Sequence, residues 1–290
     1  MADFTSTTHD VFIPEICSDE SFMTYESNLV VAKAVLMTDE VGKGANKGDI
    51  LRRPRISDVT AQDIPDNADI TGEANTESQV TVTLNKKKHA SVYIQKHLIN
   101  NLSKYDLRQP YTHKIGYALG KRTDLDVIAT LQAIGSPQTA GVADASATDV
   151  TEAFLKTAME FLDVADIPME DRSLVFYPDQ RQAVLSIARF SEYQTMGPGN
   201  MPIRTGKVIP VFGMPTDFST NLTQLGTTPH FYRAGYLLHK EAVWLAKPSE
   251  MDLEFNYIPR RKAWLLSGDL LYGSASYRGA ANFVIVYTDN

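Results

Sequence analysis

Cysteine is almost missing from this chain: Cys17 stands alone in 290 residues. No disulfide can form within it, which suits a reducing compartment. Equally absent is any run near the ~18 apolar residues that a membrane helix needs, so no membrane partner is expected. The opening MADFTSTTHDVFIPEI has no basic stretch leading into an apolar one, and no secretory signal is expected. Positive charge is in the minority, 28 Lys and Arg against 35 Asp and Glu, for a net charge of −7. That balance argues against gripping nucleic acid by bulk charge.

The usual marks of catalysis are missing too. The six histidines (His9, His89, His97, His113, His230 and His239) show neither H-x-x-x-H nor HExxH spacing, and Cys17 has no ligand partner. In LHKEA (238–242), strand alternation would put His239 and Glu241 on one face, but no nucleophile is near. No G-x-S-x-G, Ser-x-x-Lys or glycine fingerprint occurs. No catalytic residue, cofactor or metal is expected. GKGANKGD (42–49) looks at first like a phosphate cradle. A P-loop needs G-x-x-x-x-G-K-[ST] opening a helix. Here Lys43 and Lys47 lead into ILRRPRIS (50–57), extended sequence carrying Arg52, Arg53, Pro54 and Arg55. A flexible turn is the better reading, because glycine supplies the positive φ of a tight reversal.

What the chain does have is organisation. Residues 1–20 are polar around Val11, Phe12 and Ile13, an arm that cannot fold alone. The spacing over 21–36 predicts a short helix. After the glycine turn, 57–77 carries Asp58, Asp63, Asp66, Asp69, Glu73 and Glu77 with hardly a large apolar side chain. The excursion 41–79 therefore reads as a two-armed flap without its own core, basic on one arm and acidic at the far end. Such a flap, also flanked by Lys86, Lys87 and Lys88, suits pairing with a neighbouring protein by arginine–carboxylate contacts; a merely solvated charge run is the plain alternative.

Period-two patterns predict strands at QVTVTLN (79–85) and HASVYIQ (89–95). Asp106, Pro110 and Gly135 bracket a long helix. Leu107, Tyr111, Ile115, Leu119, Arg122, Asp126 and Ala129 mark its expected inner line, with Ala118, Leu125 and Ile128 beside it, and Gly116 and Gly120 leaving a thin spot. The residues SPQTAGVADASAT (136–148) read as a linker. Asp149 and Glu152 have capping-box spacing for a helix that turns Val150, Phe154, Ala158 and Phe161 or Leu162 inward. SLVFY (173–177) reads as a buried strand, Pro178 as the start of another helix, and 193–206 as a loop. MDLEFNY (251–257) and NFVIVY (282–287) read as strands. The fold class is α+β, with dispersed short sheets and no βαβ repeat.

The order of these phrases closely resembles the major capsid proteins of tailed bacteriophages in their short form: VFIPEI, Lys47-Gly48-Asp49, RRPRI, an acidic flap, ALGKRTDLDVIATL, LVFYPDQRQAVL, GKVIPVFGMPTDFSTNL, AGYLLHKEAVWLA and LLYGSASYRG. The resemblance covers nearly the whole chain and implies the Hong Kong phage capsid fold. It implies an N-terminal arm (1–40), an extended loop (41–79), and a peripheral domain (80–135 with 248–275) holding a spine helix at about 106–135. An axial domain (136–247 with 276–290) would place Met196, Gly197, Pro198, Gly199 and Asn200 near a capsomer centre. It implies self-assembly as pentamers and hexamers into an icosahedral shell around double-stranded DNA, made in the host bacterial cytoplasm. Portal protein at one vertex would be a partner, with a decoration protein left open. Only about forty residues precede the loop, so the scaffolding protein is expected to be separate. Relatives that crosslink join a loop lysine to an asparagine; Lys43, Lys47 and Asn282 are present here, but non-covalent stabilisation is expected. Two rivals stand beside this: an encapsulin-type nanocompartment shell, and an α+β hydrolase using His239, Glu241 and a serine.

Overall fold

The computed structural model describes residues 29–38, 46–55, 61, 63, 78–96, 108–135, 139–140, 149–187, 208, 210–222, 224–227, 230–247 and 251–289. Three sheets and a long helix organise them. The first sheet joins β1 (Leu36–Thr38), β4 (Lys86–Gln95), β10 (Val243–Ala246), β11 (Asp252–Ile258) and β12 (Ala263–Ser276). Its axis is β12, whose first part pairs antiparallel with both β11 and β4 and whose last part pairs with β10. The second sheet joins β5 (Thr139–Ala140), β6 (Arg172–Phe176), β7 (Thr216–Phe218), β8 (Gln224–Thr227), β9 (His230–His239) and β13 (Phe283–Asp289). The third is a two-stranded ribbon of β2 (Ile50–Arg55) and β3 (Ser78–Thr83).

Strand alternation explains how the second sheet is buried on both sides. Leu174, Phe176, Leu237, Val284 and Val286 face one core, shared with the helix α2 (Glu152–Val164). Val175, Tyr236, Leu238, Phe283 and Ile285 face the other, shared with the long helix α1 (Arg108–Ile134). Helix α1 also lies across β12, where Gly268 makes room: a Cβ there would meet Ile115 Cγ2 at 2.7 Å. The chain leaves α1 through Gly135 at φ +64, the left-handed exit that glycine tolerates.

Four expectations need correction. The helix expected over 21–36 is, in its described part, one 3-10 turn (Ala32–Ala34) followed by β1, because Leu36 is drawn into parallel pairing with Trp244. Helix α2 is capped by Thr151, whose hydroxyl accepts from Phe154 N, not by Asp149; the Asp149 carboxylate instead accepts from the Gln180 side-chain amide. The helix expected from Pro178 begins at Gln180 behind Asp179, and its helical segment α3 (Gln180–Ser186) spans seven residues. The sheets are not all short: two of the three have five and six strands.

Candidate assembly interface

The ribbon β2–β3 is the flap, and its root shows how it is held. The described part of GKGANKGD, Asn46 to Asp49, is the entry turn. Gly48 sits at φ +102, its N–H donates to Leu84 O at 2.8 Å, and Leu84 N returns a bond to Asp49 O at 2.9 Å. The Asp49 carboxylate accepts from Asn46 N and fixes the turn. From this root the arms pair in register, Ile50 with Thr83 through Arg55 with Ser78.

The excursion 41–79 was expected to carry no core of its own, and its described part adds only Leu51 to a small core built at its root by residues from outside it. Val82 and Leu84 are fully buried with Trp244 and Ala246, and Leu36, Leu51, Val80, Leu271, Ala275 and Tyr277 close around them. Trp244 Nε1 donates to Thr38 Oγ1 at 3.0 Å, and its ring meets Tyr277 edge-on. The Tyr277 ring also carries Arg53, whose guanidinium carbon lies 5.1 Å from the ring centroid. Gly273 completes the contact, since any Cβ there would overlap the Thr83 carbonyl. Beyond the root the charge is outward: Lys47, Arg52, Arg55 and Asp63 are exposed, and Ile50 is 53% exposed. Lys43, Asp58, Asp66, Asp69, Glu73 and Glu77 lie outside the described residues, as do the axial-loop residues Met196, Gly197, Pro198, Gly199 and Asn200.

Helix α1 divides its surface sharply. Ile115, Gly116, Leu119 and Gly120 are buried, and Tyr111 is exposed. Arg122 and Ala129 are also exposed, because successive steps of four wind slowly around a helix that repeats every 3.6 residues. The true inner face steps through Thr112, Ile115, Leu119, Thr123, Val127 and Leu131. The helix's two carboxylates are both turned inward: Asp126 lies on the expected line, while the burial of Asp124 is what the sequence reading missed. Asp124, fully buried, accepts from Val30 N and Ala32 N at 3.0 Å each, and from the Asn221 amide at 3.5 Å. One carboxylate thus ties the N-terminal strap and the 219–222 turn to α1. Burial raises its pKa above the usual range, against the opposing pull of those N–H bonds. Asp126 accepts from Tyr272 OH at 2.7 Å and pairs with Lys88 and Arg122 at 3.4 Å each. With both acids internal, the outer face of α1 presents His113, Lys114, Lys121 and Arg122 and no carboxylate.

The hydrolase constellation does not assemble. Glu241 is not on a strand; it lies in the 3-10 turn Lys240–Ala242, and its N–H donates to His239 Nδ1. His239 is buried, which lowers its pKa, and Glu241 pairs with Arg278. Asn282 is 7% exposed, so its amide is not offered to a lysine of another subunit.

A family model described as phage capsid protein matches residues 34–288. No curated protein sequence matches the chain. Among solved structures, a chain from Mycobacterium phage Che8 is 18% identical, with 89% of this chain and 90% of that chain covered and a TM-score of 0.65. The capsid of cyanophage P-SCSP1u is 17% identical over 90% of this chain and 88% of its own, with a TM-score of 0.67. The capsid of Ralstonia phage GP4 is 14% identical over 91% and 90%, with a TM-score of 0.66. At these identities the likeness establishes the fold.

Proposed function

The chain belongs to the phage capsid protein family with the Hong Kong phage capsid fold, and on that premise we propose how this major capsid protein closes its shell. It is a structural protein whose copies associate into the icosahedral capsid of a phage virion. The nanocompartment reading is weaker, since the matching family is one of phage capsids.

In the proposed arrangement the arm is 1–40, the extended loop 41–79, and the peripheral domain 80–135 with 248–275. The axial domain is 136–247 with 276–290, and β10 crosses over to complete the peripheral sheet. Axial domains gather as pentamers and hexamers. The flap of each subunit reaches across α1 of its neighbour, a heterologous contact of the kind that closes rings. The observation that carries this reading is the partition of charge. The flap's distal stretch 57–77 has six carboxylates and no Lys or Arg, whereas the outer face of α1 has only basic charge. Opposite fields of this kind set register and suppress wrong partners.

The subunit has no enzymatic role in this account. It is assembled in the host cytoplasm on a separate scaffolding protein, with portal protein at one vertex and room for a decoration protein. A net negative subunit also leaves the packaged duplex free to slide, because duplex DNA carries one negative charge per ~1.7 Å and adheres to basic walls. Negative-stain electron microscopy and sedimentation velocity, with and without the scaffolding protein, test the reading. Closed uniform shells are expected; a persistent monomer or dimer under every assembly condition overturns it.

A further inference from the structure

The hairpin that joins β11 to β12 ends in concentrated positive charge. Pro259–Arg261 form a 3-10 turn, and Lys262 follows at φ +46, a left-handed conformation that strains a lysine. Lys96, at the end of β4, donates its N–H to Lys262 O at 3.0 Å and adds its own ammonium to the tip. Two of the four cations are held over rings. The Arg261 guanidinium carbon is 4.5 Å from the Tyr93 centroid, and Lys96 Nζ is 5.4 Å from that of Tyr257. Tyr257 leans on Trp264, which stacks on Phe255 at 4.7 Å. A ring face fixes a cation's position without cancelling its charge.

Nothing local cancels it either. Neither β4 nor the stretch 255–268 contains a single Asp or Glu. Glu254, the nearest acid along the hairpin, accepts from the Asn256 amide at 3.2 Å instead. Among the described residues no carboxylate pairs with Lys96, Arg260, Arg261 or Lys262, and Tyr93 and Tyr257 are 46% and 36% exposed. An exposed set of four pre-positioned cations with aromatic support is a surface shaped for carboxylates.

We propose that this tip is a docking site for the acidic segment 57–77 of a second copy of the chain. The proposal rests on the shell-forming reading and deepens it by assigning where the far end of the flap is held. Charge complementarity chooses the occupant: six carboxylates without a cation, facing four cations without a carboxylate. The second copy as occupant follows from the shell-forming reading, in which a flap rooted against Gly273 of one subunit works on the next.

Charge exchange tests this in the full-length protein. One variant reverses the tip (Arg260→Glu, Arg261→Glu, Lys262→Glu), a second reverses the segment (Asp63→Lys, Asp66→Lys, Asp69→Lys), and a third carries both sets. Each reversal alone should raise the protein concentration needed for shell assembly at least about 10-fold, and the combination should bring it back within about 3-fold. Unchanged assembly of the tip variant overturns the proposal, as does failure of the double set to rescue. So does a tip variant that assembles normally but retains less DNA, which would make the tip a polyanion contact. A second measurement needs no folded variant: a fluorescent peptide of residues 57–77 should bind the unassembled wild-type subunit and let go as salt rises. No binding at low salt overturns the proposal. Absence of shells from the wild-type chain is a separate result and counts against the shell reading instead.

Discussion

Replacing Trp244 by alanine should unfasten the flap while leaving the rest of the subunit folded. The indole is 4% exposed and fills the root core with Val82, Leu84 and Ala246. Truncating a buried Trp costs about 3–5 kcal/mol through lost transfer energy and the cavity left behind. The bond from Trp244 Nε1 to Thr38 Oγ1 accounts for about 1 kcal/mol of that, so Trp244→Phe should cost far less. Because Val82 touches the same cavity, Val82→Ala should add less to Trp244→Ala than to wild type, with a coupling of about 0.5–3 kcal/mol. Urea unfolding of the unassembled subunit measures these values. Amide exchange locates them: protection should fall at 48–55 and 78–84 and persist in β9 and β13. Equal loss of protection everywhere, or a cost below about 1 kcal/mol with flap exchange unchanged, refutes the claim that Trp244 sets the flap's stiffness.

Four further outcomes follow from three residues. Asp124→Ala leaves a buried and a half-buried backbone donor without this acceptor and should cost about 2–5 kcal/mol, seen as earlier proteolysis ahead of Val30. Because burial raises the Asp124 pKa in the folded state, the native chain binds its proton more readily than the unfolded one. The contribution of this group to stability is therefore largest in acid and declines as pH rises from the ordinary carboxylate range through the raised value; Asp124→Asn should lack that slope in unfolding measured across pH. Gly273→Ala forces a Cβ into the Thr83 carbonyl, and should impair assembly more than Gly279→Ala, where φ is +90 but space is open; light scattering compares the two. Mature shells boiled in detergent should run as single chains, because Asn282 is buried; a ladder of multimers would contradict this.

Much of the architecture was legible from patterns that local physics enforces. Alternation in 79–85 and 89–95 placed the ends of β3 and β4 within three residues, and Pro110 with Gly135 bracketed α1. The errors came where distant partners overrode local preference. Leu36 sits in a helical spacing but pairs with Trp244, more than two hundred residues away. Asp124 had no place in the expected inner line of the helix, yet it serves the strap, while Asp126, which did, serves a tyrosine and two cations. The flap's arms were visible in composition, but its root core depends on Trp244 and Ala246 arriving from β10, which nothing near residue 82 announces. The hairpin cations were likewise unmarked, since only folding brings Lys96 beside Lys262.

The central claim is that the flap is rooted in its own subunit and works on the next. Cryo-electron microscopy of the assembled shell tests this most directly by tracing residues 50–83 in adjacent subunits. The account predicts that each β2–β3 ribbon crosses the basic face of a neighbour's α1 and delivers segment 57–77 to the cations of another copy. A ribbon folded back along its own β12, with no contact to a second chain, would contradict it.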